Sequence, residues 1–163
     1  MNIQRFWRHL TSSPWRVRRV LPRSAMQAIE RAIRESERTH RGQICFAIEG
    51  ALDLGPLLRG RTARQRALEV FSRLRVWDTE HDNGVLIYLL LADHDIEIVA
   101  DRGIHAHVGA ERWEKICQQM ESAFRDGRFE EGVVTGIRAV GELLTRHYPG
   151  TGGNEIPDKP VVL

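Results

Sequence analysis

The chain has 163 residues, of which 42% are hydrophobic and 28% are charged, and its net charge is +2. These values fit one globular domain with a single core and make a second domain unexpected. The longest apolar run, 85–92, is less than half as long as the roughly 20 residues of a membrane-spanning helix. No secretory signal is recognisable near the N-terminus, so we expect a cytoplasmic protein.

The first residues predict a basic amphipathic helix. In MNIQRFWRHL, Ile3, Phe6, Trp7 and Leu10 recur at helical spacing, and polar or basic residues occupy the other face. Such a helix suits an anionic membrane surface or a membrane protein, and it also suits packing on its own domain. Residues 1–29 contain six arginines and no acid, and the rest of the chain is net acidic. Nucleic-acid binding is therefore not expected of the domain.

The next segments predict the first half of an α/β domain. Ser24 and Thr62 are each followed three residues later by Gln, the spacing of a capping box, so a helix is expected to begin at each. Between them, QICFAIEG (43–50) predicts a strand that is largely apolar on both faces, and the glycine-rich residues 50–60 predict a loop.

The centre of the chain predicts a buried strand and a hairpin. The run 85–92 is apolar throughout, which indicates a central strand covered on both faces. The preceding strand and helix complete a right-handed βαβ unit with parallel strands. ADHD (92–95) then predicts a tight turn into an antiparallel return strand over 96–101. A turn centred between Asp93 and His94 would set Val85 opposite Arg102.

Two further helices are predicted after Gly109 and from Phe129, and the glycines inside the second indicate a close neighbour. The chain then divides into an N-terminal segment (1–22), a domain (23–148) and a flexible C-terminal tail (149–163). Cys45 and Cys117 are expected to be free, buried thiols. GxGxxG and GxxxxGK[ST] patterns are absent, so no nucleotide cofactor is expected. No catalytic residue is predicted either.

The hairpin would bring two polar segments, WDTEHDN (77–83) and ADRGIHAH (100–107), to one end of the sheet. Carboxylate and amide oxygens suit Ca²⁺ or Mg²⁺, and nearby histidines would favour zinc or manganese. The candidate metal ligands are Asp78, Glu80, Asp82, Asn83 and Asp101. Arg102 is a candidate phosphate-binding residue or an ion-pair partner of Asp82. The alternative is a solvated loop in which Asp82 or Asn83 caps backbone N–H groups and Gly84 supplies an unusual dihedral angle.

Two stretches together resemble a known family. FSRLRVWDTEHDNGVLIYLLLADHDIEIVADRGI and FRDGRFEEGVVTGIRAVGELL resemble the TPM domain, a group named after a thylakoid lumen protein, a photosystem II repair protein and a receptor modulator. The likeness covers about residues 24–148, and Asp82, Asn83, Gly84 and Gly103 match the family motif. The commoner family pattern after the third strand reads GYG, whereas this chain has ADRG.

The resemblance implies a three-layer α/β/α sandwich on a small mixed sheet. It also implies acid phosphatase activity and binding of calcium or another divalent metal, and many relatives are secreted or tethered to membranes. Two functions are therefore expected. The first is a non-catalytic accessory domain that docks on a membrane surface or membrane protein through residues 1–22, peripherally at the inner face of the membrane. The alternative is a metal-dependent phosphatase with its site at residues 78–84 and 101–107.

Overall fold

The computed structural model describes residues 3–11 and 14–163. Within these ranges the chain forms eight helices and four strands. In chain order they are α1 (Ile3–Thr11), α2 (Pro14–Val20), α3 (Arg23–Ser36), β1 (Gln43–Glu49), α4 (Leu54–Leu58), α5 (Ala63–Arg73), β2 (Gly84–Leu90), β3 (Asp95–Ala100), α6 (Arg102–Val108), α7 (Ala110–Arg125), α8 (Phe129–His147) and β4 (Val161–Val162). No helix in these ranges is long and apolar enough to cross a membrane.

The strands form one mixed sheet in the order β3-β2-β1-β4. β1 pairs in parallel with both β2 and β4, and β2 pairs antiparallel with β3. Alternate residues of β1 and β2 enter two separate hydrophobic clusters, one shared with α3, α7 and α8 and the other with α5. Both faces of the central strands are therefore buried, which confirms the α/β/α layers and explains the continuous apolarity of 85–92.

The hairpin register differs from the predicted one by two residues. Val85 pairs with Ala100 and Leu90 with Asp95, because the turn takes four residues (91–94) and His94 adopts a positive φ of 53°. A shift of two residues keeps every side chain on its predicted face of the sheet. The predicted faces of the two strands are therefore correct, although the predicted pairing of residues is not.

The two predicted capping boxes have different outcomes. At Thr62 the box is present, since the hydroxyl accepts from the backbone N–H of Gln65 and the Gln65 side chain accepts from Thr62 N–H. The box at Ser24 is wrong: the N-cap of α3 is Pro22, two residues earlier, and no side chain caps the helix. The predicted loop 50–60 also contains the short helix α4.

Close helix packing explains the glycines of α8, as predicted. A Cβ on Gly136 would lie 2.3 Å from the sulfur of Met120, and one on Gly132 would lie 2.8 Å from Phe124. Any side chain here would require Met120 or Phe124 to move. Cys45 and Cys117 are both free, also as predicted, and burial raises the pKa of each thiol to about 12.

The last residues differ from the predicted flexible tail. Ile156 and Asp158 are buried, and the Gln43 side chain accepts hydrogen bonds from the backbone N–H groups of Glu155 and Ile156 at 2.8 and 3.0 Å. β4 then adds a fourth strand beside β1. A polar, glycine-rich segment thus joins the sheet because a buried side chain of β1 provides the acceptor that positions it.

Candidate functional site

The two predicted polar segments do meet at one end of the sheet. The backbone N–H of Asp101 donates to the carbonyl of Gly84 at 2.9 Å, and that of Ile104 donates to the carbonyl of Asp82 at 3.2 Å. These bonds join the loop before β2 to the segment after β3. The convergence inferred from the hairpin is therefore confirmed.

The segment after β3 is a helix, α6, which contains both histidines of the polar segment 100–107. Asp101 is the N-cap of α6, and its Oδ1 accepts from Arg102 N–H at 2.7 Å. His105 and His107 consequently point in different directions. His107 stacks on the ring of His147 at a centroid distance of 5.0 Å, whereas His105 lines a groove beside β3.

Both motif glycines are required by close approach. A Cβ on Gly84 would lie 1.9 Å from the carbonyl oxygen of Val76, and one on Gly103 would lie 2.6 Å from that of Asp82. The positive φ in this loop, 48°, belongs to Asp82. The prediction that Gly84 supplies an unusual dihedral angle is therefore wrong, and its role is to let two backbone segments touch.

Asn83 is fully buried, and its hydrogen bonds connect the loop before β2 to neighbouring segments. Its backbone N–H donates to Thr79 Oγ1 at 3.1 Å, and its Nδ2 donates to the carbonyl of Arg41 at 3.2 Å. Its backbone carbonyl accepts from Gln43 N–H. The side-chain oxygen Oδ1 is buried without a donor among the described residues.

Asp101 carries a second unsatisfied acceptor. Its Oδ2 is buried and no described residue donates a hydrogen bond to it. Burial raises the pKa of the Asp101 carboxyl, and the neighbouring Asp82 carboxylate adds to the shift. Burial and the same two carboxylates raise the pKa of Tyr148. Asp82, Asp101 and Tyr148 therefore form one electrostatically linked group, in which Tyr148 had no signal in the sequence.

The other predicted ligands stand apart from this group. Asp78 pairs with Arg75 at 2.7 Å, and the Glu80 side chain is 79% exposed. The Arg102 side chain is also exposed and lies near Asp101. Among the described residues there is no cluster of three or more His, Cys, Asp or Glu side chains that could hold a metal ion. The five-ligand set predicted from the sequence is not assembled.

The opposite end of the sheet holds a buried ionic network that sequence reasoning missed. Glu49, the last residue of β1, accepts from Arg66 Nε and Nη2 at 2.8 and 2.9 Å and from the Tyr88 hydroxyl. Burial and the bond to Glu49 raise the pKa of Tyr88, which keeps the phenol protonated as a donor. A single Glu at the end of an apolar strand was the available signal.

The N-terminal helix docks beside this network through Arg5, His9 and the partly buried Phe6, which belongs to the predicted apolar face. Arg5 Nε lies 2.9 Å from Asp93 Oδ2, and the buried His9 accepts from Leu52 N–H at 2.9 Å through Nδ1. The opposite face of α1 is apolar and points outward: Ile3 is 71%, Trp7 61% and Leu10 49% exposed. On α2, Trp15 is exposed beside Arg16, Arg18 and Arg19.

Comparison with known proteins agrees with this architecture. The model of the TPM domain family matches residues 17–143. The solution structure of the BA42 protein from the psychrophilic bacterium Bizionia argentinensis is similar, with 28% identity and a TM-score of 0.77 over 88% of this chain and 95% of that one.

A second solved structure, the N-terminal domain of a P. gingivalis protein, shares the fold. It has 17% identity and a TM-score of 0.63 over 79% of this chain and 81% of that one. No protein among the curated ones matches the chain.

Proposed function

The chain belongs to the TPM domain family, and we propose that within it this protein is a non-catalytic binding domain that docks on an anionic membrane surface through α1 and α2. The observation that carries this proposal is the orientation of α1. Arg5, His9 and Phe6 attach the helix to the domain, and its remaining apolar residues, Ile3, Trp7 and Leu10, face outward.

The charge around this stripe supports an anionic partner. Residues 1–29 hold six arginines and no acid, and three of the arginines are exposed on α2 beside the 75% exposed Trp15. Apolar and aromatic side chains flanked by arginines are typical of segments that lie in the interface of an anionic bilayer. Attachment through Arg5 and His9 would present the stripe in one fixed orientation.

The test compares two matched pairs of substitutions in the full chain. Trp7→Ser with Leu10→Ser removes the outward stripe, whereas Trp77→Ser with Leu68→Ser removes a similarly exposed Trp and Leu elsewhere. Removing residues 1–22 would be a poor test, because Val17 and Leu21 are buried in the core.

Binding to phosphatidylglycerol-containing vesicles is measured by sedimentation, with neutral vesicles and added salt as comparisons. We expect the stripe variant to bind at least about tenfold more weakly, since burying one such side chain contributes roughly 1.5–3 kcal/mol. The matched variant should bind like the parent protein, and salt should weaken binding. Equal binding by the two variants, or no preference for anionic vesicles, would refute the proposal.

A second candidate function, binding of a divalent cation at Asp82 and Asp101, is favoured by the buried acceptors Asp101 Oδ2 and Asn83 Oδ1. These are hard oxygen ligands, as Ca²⁺ and Mg²⁺ require. With no cluster of three His, Cys, Asp or Glu side chains among the described residues, the protein would supply few ligands, which suits Mg²⁺ with its retained waters. In the phosphatase alternative, the exposed Arg102 would contact the phosphate.

This candidate is tested by titrating Mg²⁺ and Ca²⁺ calorimetrically into the parent, Asp101→Asn and Asp78→Asn proteins. The Asp101 substitution should abolish binding, and the Asp78 substitution should leave it intact because that carboxylate pairs with Arg75. Hydrolysis of an aryl phosphate is compared between the parent and Asp82→Ala. Absence of cation binding by the parent refutes the site, and equal hydrolysis by both proteins refutes the phosphatase.

A further inference from the structure

A groove beside the proposed docking surface, with which it shares α2, lies between the N-terminal helices and the C-terminal segment. One wall comes from α2 and the first turns of α3, and the other from the residues around β4. Its volume is about 610 Å³, within the roughly 300–1,000 Å³ of small-molecule sites. It is lined by Val17, Arg18, Leu21, Pro22, Arg23, Met26, Gln27, Glu30, Lys159, Pro160 and Val162.

The floor of the groove is apolar. Val17 and Leu21 are buried core residues, Met26 is partly buried, and Val162 is 56% exposed on the facing wall. A floor of this kind suits a hydrocarbon chain, and the flexible thioether of methionine adapts to chains of varied shape.

The rim of the groove is cationic. Arg18, Arg23 and Lys159 line it, and none of the three has a side-chain hydrogen bond or ion pair to any residue within 3–11 and 14–163. The one acid in the lining, Glu30, accepts a bond from Arg34 at 2.7 Å. Three cations with no partner in the described part of the chain therefore line an apolar groove, and the one carboxylate in its lining is already paired.

We propose that this groove binds a single-chain anionic amphiphile, specifically a long-chain fatty carboxylate. The hydrocarbon chain lies on the floor, and the carboxylate meets the arginine and lysine side chains at the rim. A neutral hydrocarbon ligand would not pair with the cations of the rim. A small hydrophilic anion would leave the apolar floor exposed to water. The proposal goes beyond membrane docking and does not require the outward stripe of α1, because the groove is formed by residues 17–30 and 159–162. Arg18 of α2 belongs to both surfaces.

The test uses the intact protein without vesicles and a fluorescent fatty acid, cis-parinaric acid, below its micelle-forming concentration. Arg23→Gln with Lys159→Gln removes two rim cations. Arg31→Gln with Lys115→Gln removes the same two types of charge from exposed positions elsewhere. Circular dichroism verifies that each variant is folded. Unlabelled dodecanoate and dodecan-1-ol serve as competing anionic and neutral chains.

We expect the parent and the control variant to bind parinarate with equal affinity and the rim variant to bind about tenfold more weakly, because charge-assisted hydrogen bonds are lost. Dodecanoate should displace the probe better than the alcohol. No binding by the parent, equal affinity of the rim and control variants, or equal displacement by the alcohol would each overturn the proposal. Trp7→Ser with Leu10→Ser should retain parinarate binding even if it loses vesicle binding, which separates the two proposals.

Discussion

The two ends of the sheet differ in whether their acidic side chains have cationic partners. Where β1 ends, Glu49 is paired with Arg66 and bonded to Tyr88, and Asp93 in the adjacent turn is paired with Arg5. Where β1 and β2 begin, Glu37 and Asp101 have no ion pair with a cation among the described residues. The partly buried Glu37 accepts a backbone N–H from Ile44 at 2.8 Å and shares a hydrogen bond with Asp158, and Asp101 retains an unsatisfied oxygen.

This difference separates acids that act as structural ions from acids that remain available. Burial, with Asp158 nearby, raises the pKa of Glu37 to about 8, and burial also raises that of Asp101. An acid paired with arginine at the far end contributes to stability as an anion. An unpaired buried acid instead makes the stability depend on pH, and it is the kind of group that a ligand could satisfy.

The largest expected effect is at the paired end. Glu49→Ala would leave the Arg66 guanidinium and the Tyr88 hydroxyl without their shared acceptor in a buried site. We expect the free energy of unfolding to fall by about 3 kcal/mol, as for other broken buried ion pairs. Urea denaturation measures the change. The triple variant Glu49→Leu, Arg66→Met, Tyr88→Phe should lose less than the single one, and a larger loss would contradict this account.

A smaller effect of opposite sign, a gain in the free energy of unfolding, is expected from a substitution at Glu37. The folded-state pKa of Glu37, about 8, lies above the ordinary glutamate value of 4.5, so the folded protein binds more protons than the unfolded one between these pH values. Stability is therefore complete below pH 4.5 and is lost as the pH rises towards 8. Glu37→Gln keeps the acceptor for Ile44 and should stabilise the protein by about 1 kcal/mol at pH 8.

Thermal or urea unfolding at pH 4 and at pH 8 tests this prediction. At pH 4 the Glu37 variant and the parent should have nearly equal stability, because the carboxyl is protonated in both states of the parent. Glu35→Gln, at an exposed position on the same helix, is the control and should follow the parent at both pH values. A difference that does not change with pH would show that Glu37 is not the titrating group.

The smallest effect is expected for an exposed ion pair in the region before β2. Asp78 and Arg75 form an ion pair whose side chains are 51% and 69% exposed, and exposed pairs contribute roughly 0–1 kcal/mol. Asp78→Ala should therefore change the free energy of unfolding by less than about 0.5 kcal/mol. A loss approaching that of the Glu49 variant would remove the contrast between the two ends.

Local patterns predicted much of this fold. The continuous apolarity of 85–92 indicated a central strand, the spacing from Thr62 to Gln65 gave the start of α5, and the glycines of α8 indicated the close contact with α7. Each of these signals depends on residues that are near in sequence. The meeting of loop 77–83 with the segment after β3 was also predictable, because a hairpin brings its two outer ends together.

The candidate site was less predictable, because it depends on which side chains already have partners. Asp78 and Asp82 look alike in the sequence, yet one pairs with Arg75 and the other lies near Asp101. The contribution of Tyr148, 64 or more residues away from the DNG motif at 82–84, required the packing of α8. Likewise, Gln43 gave no sign that it would anchor the C-terminal segment.

The amphipathic N-terminus shows the same division. Its spacing alone determined that Ile3, Trp7 and Leu10 share one face of a helix, since that follows from 3.6 residues per turn. Which face meets the domain was decided only by the tertiary structure, where Asp93 and Leu52 N–H offer partners to Arg5 and His9. Periodicity within an element is a local property of the chain, whereas the direction in which an element faces depends on polar partners supplied by distant residues.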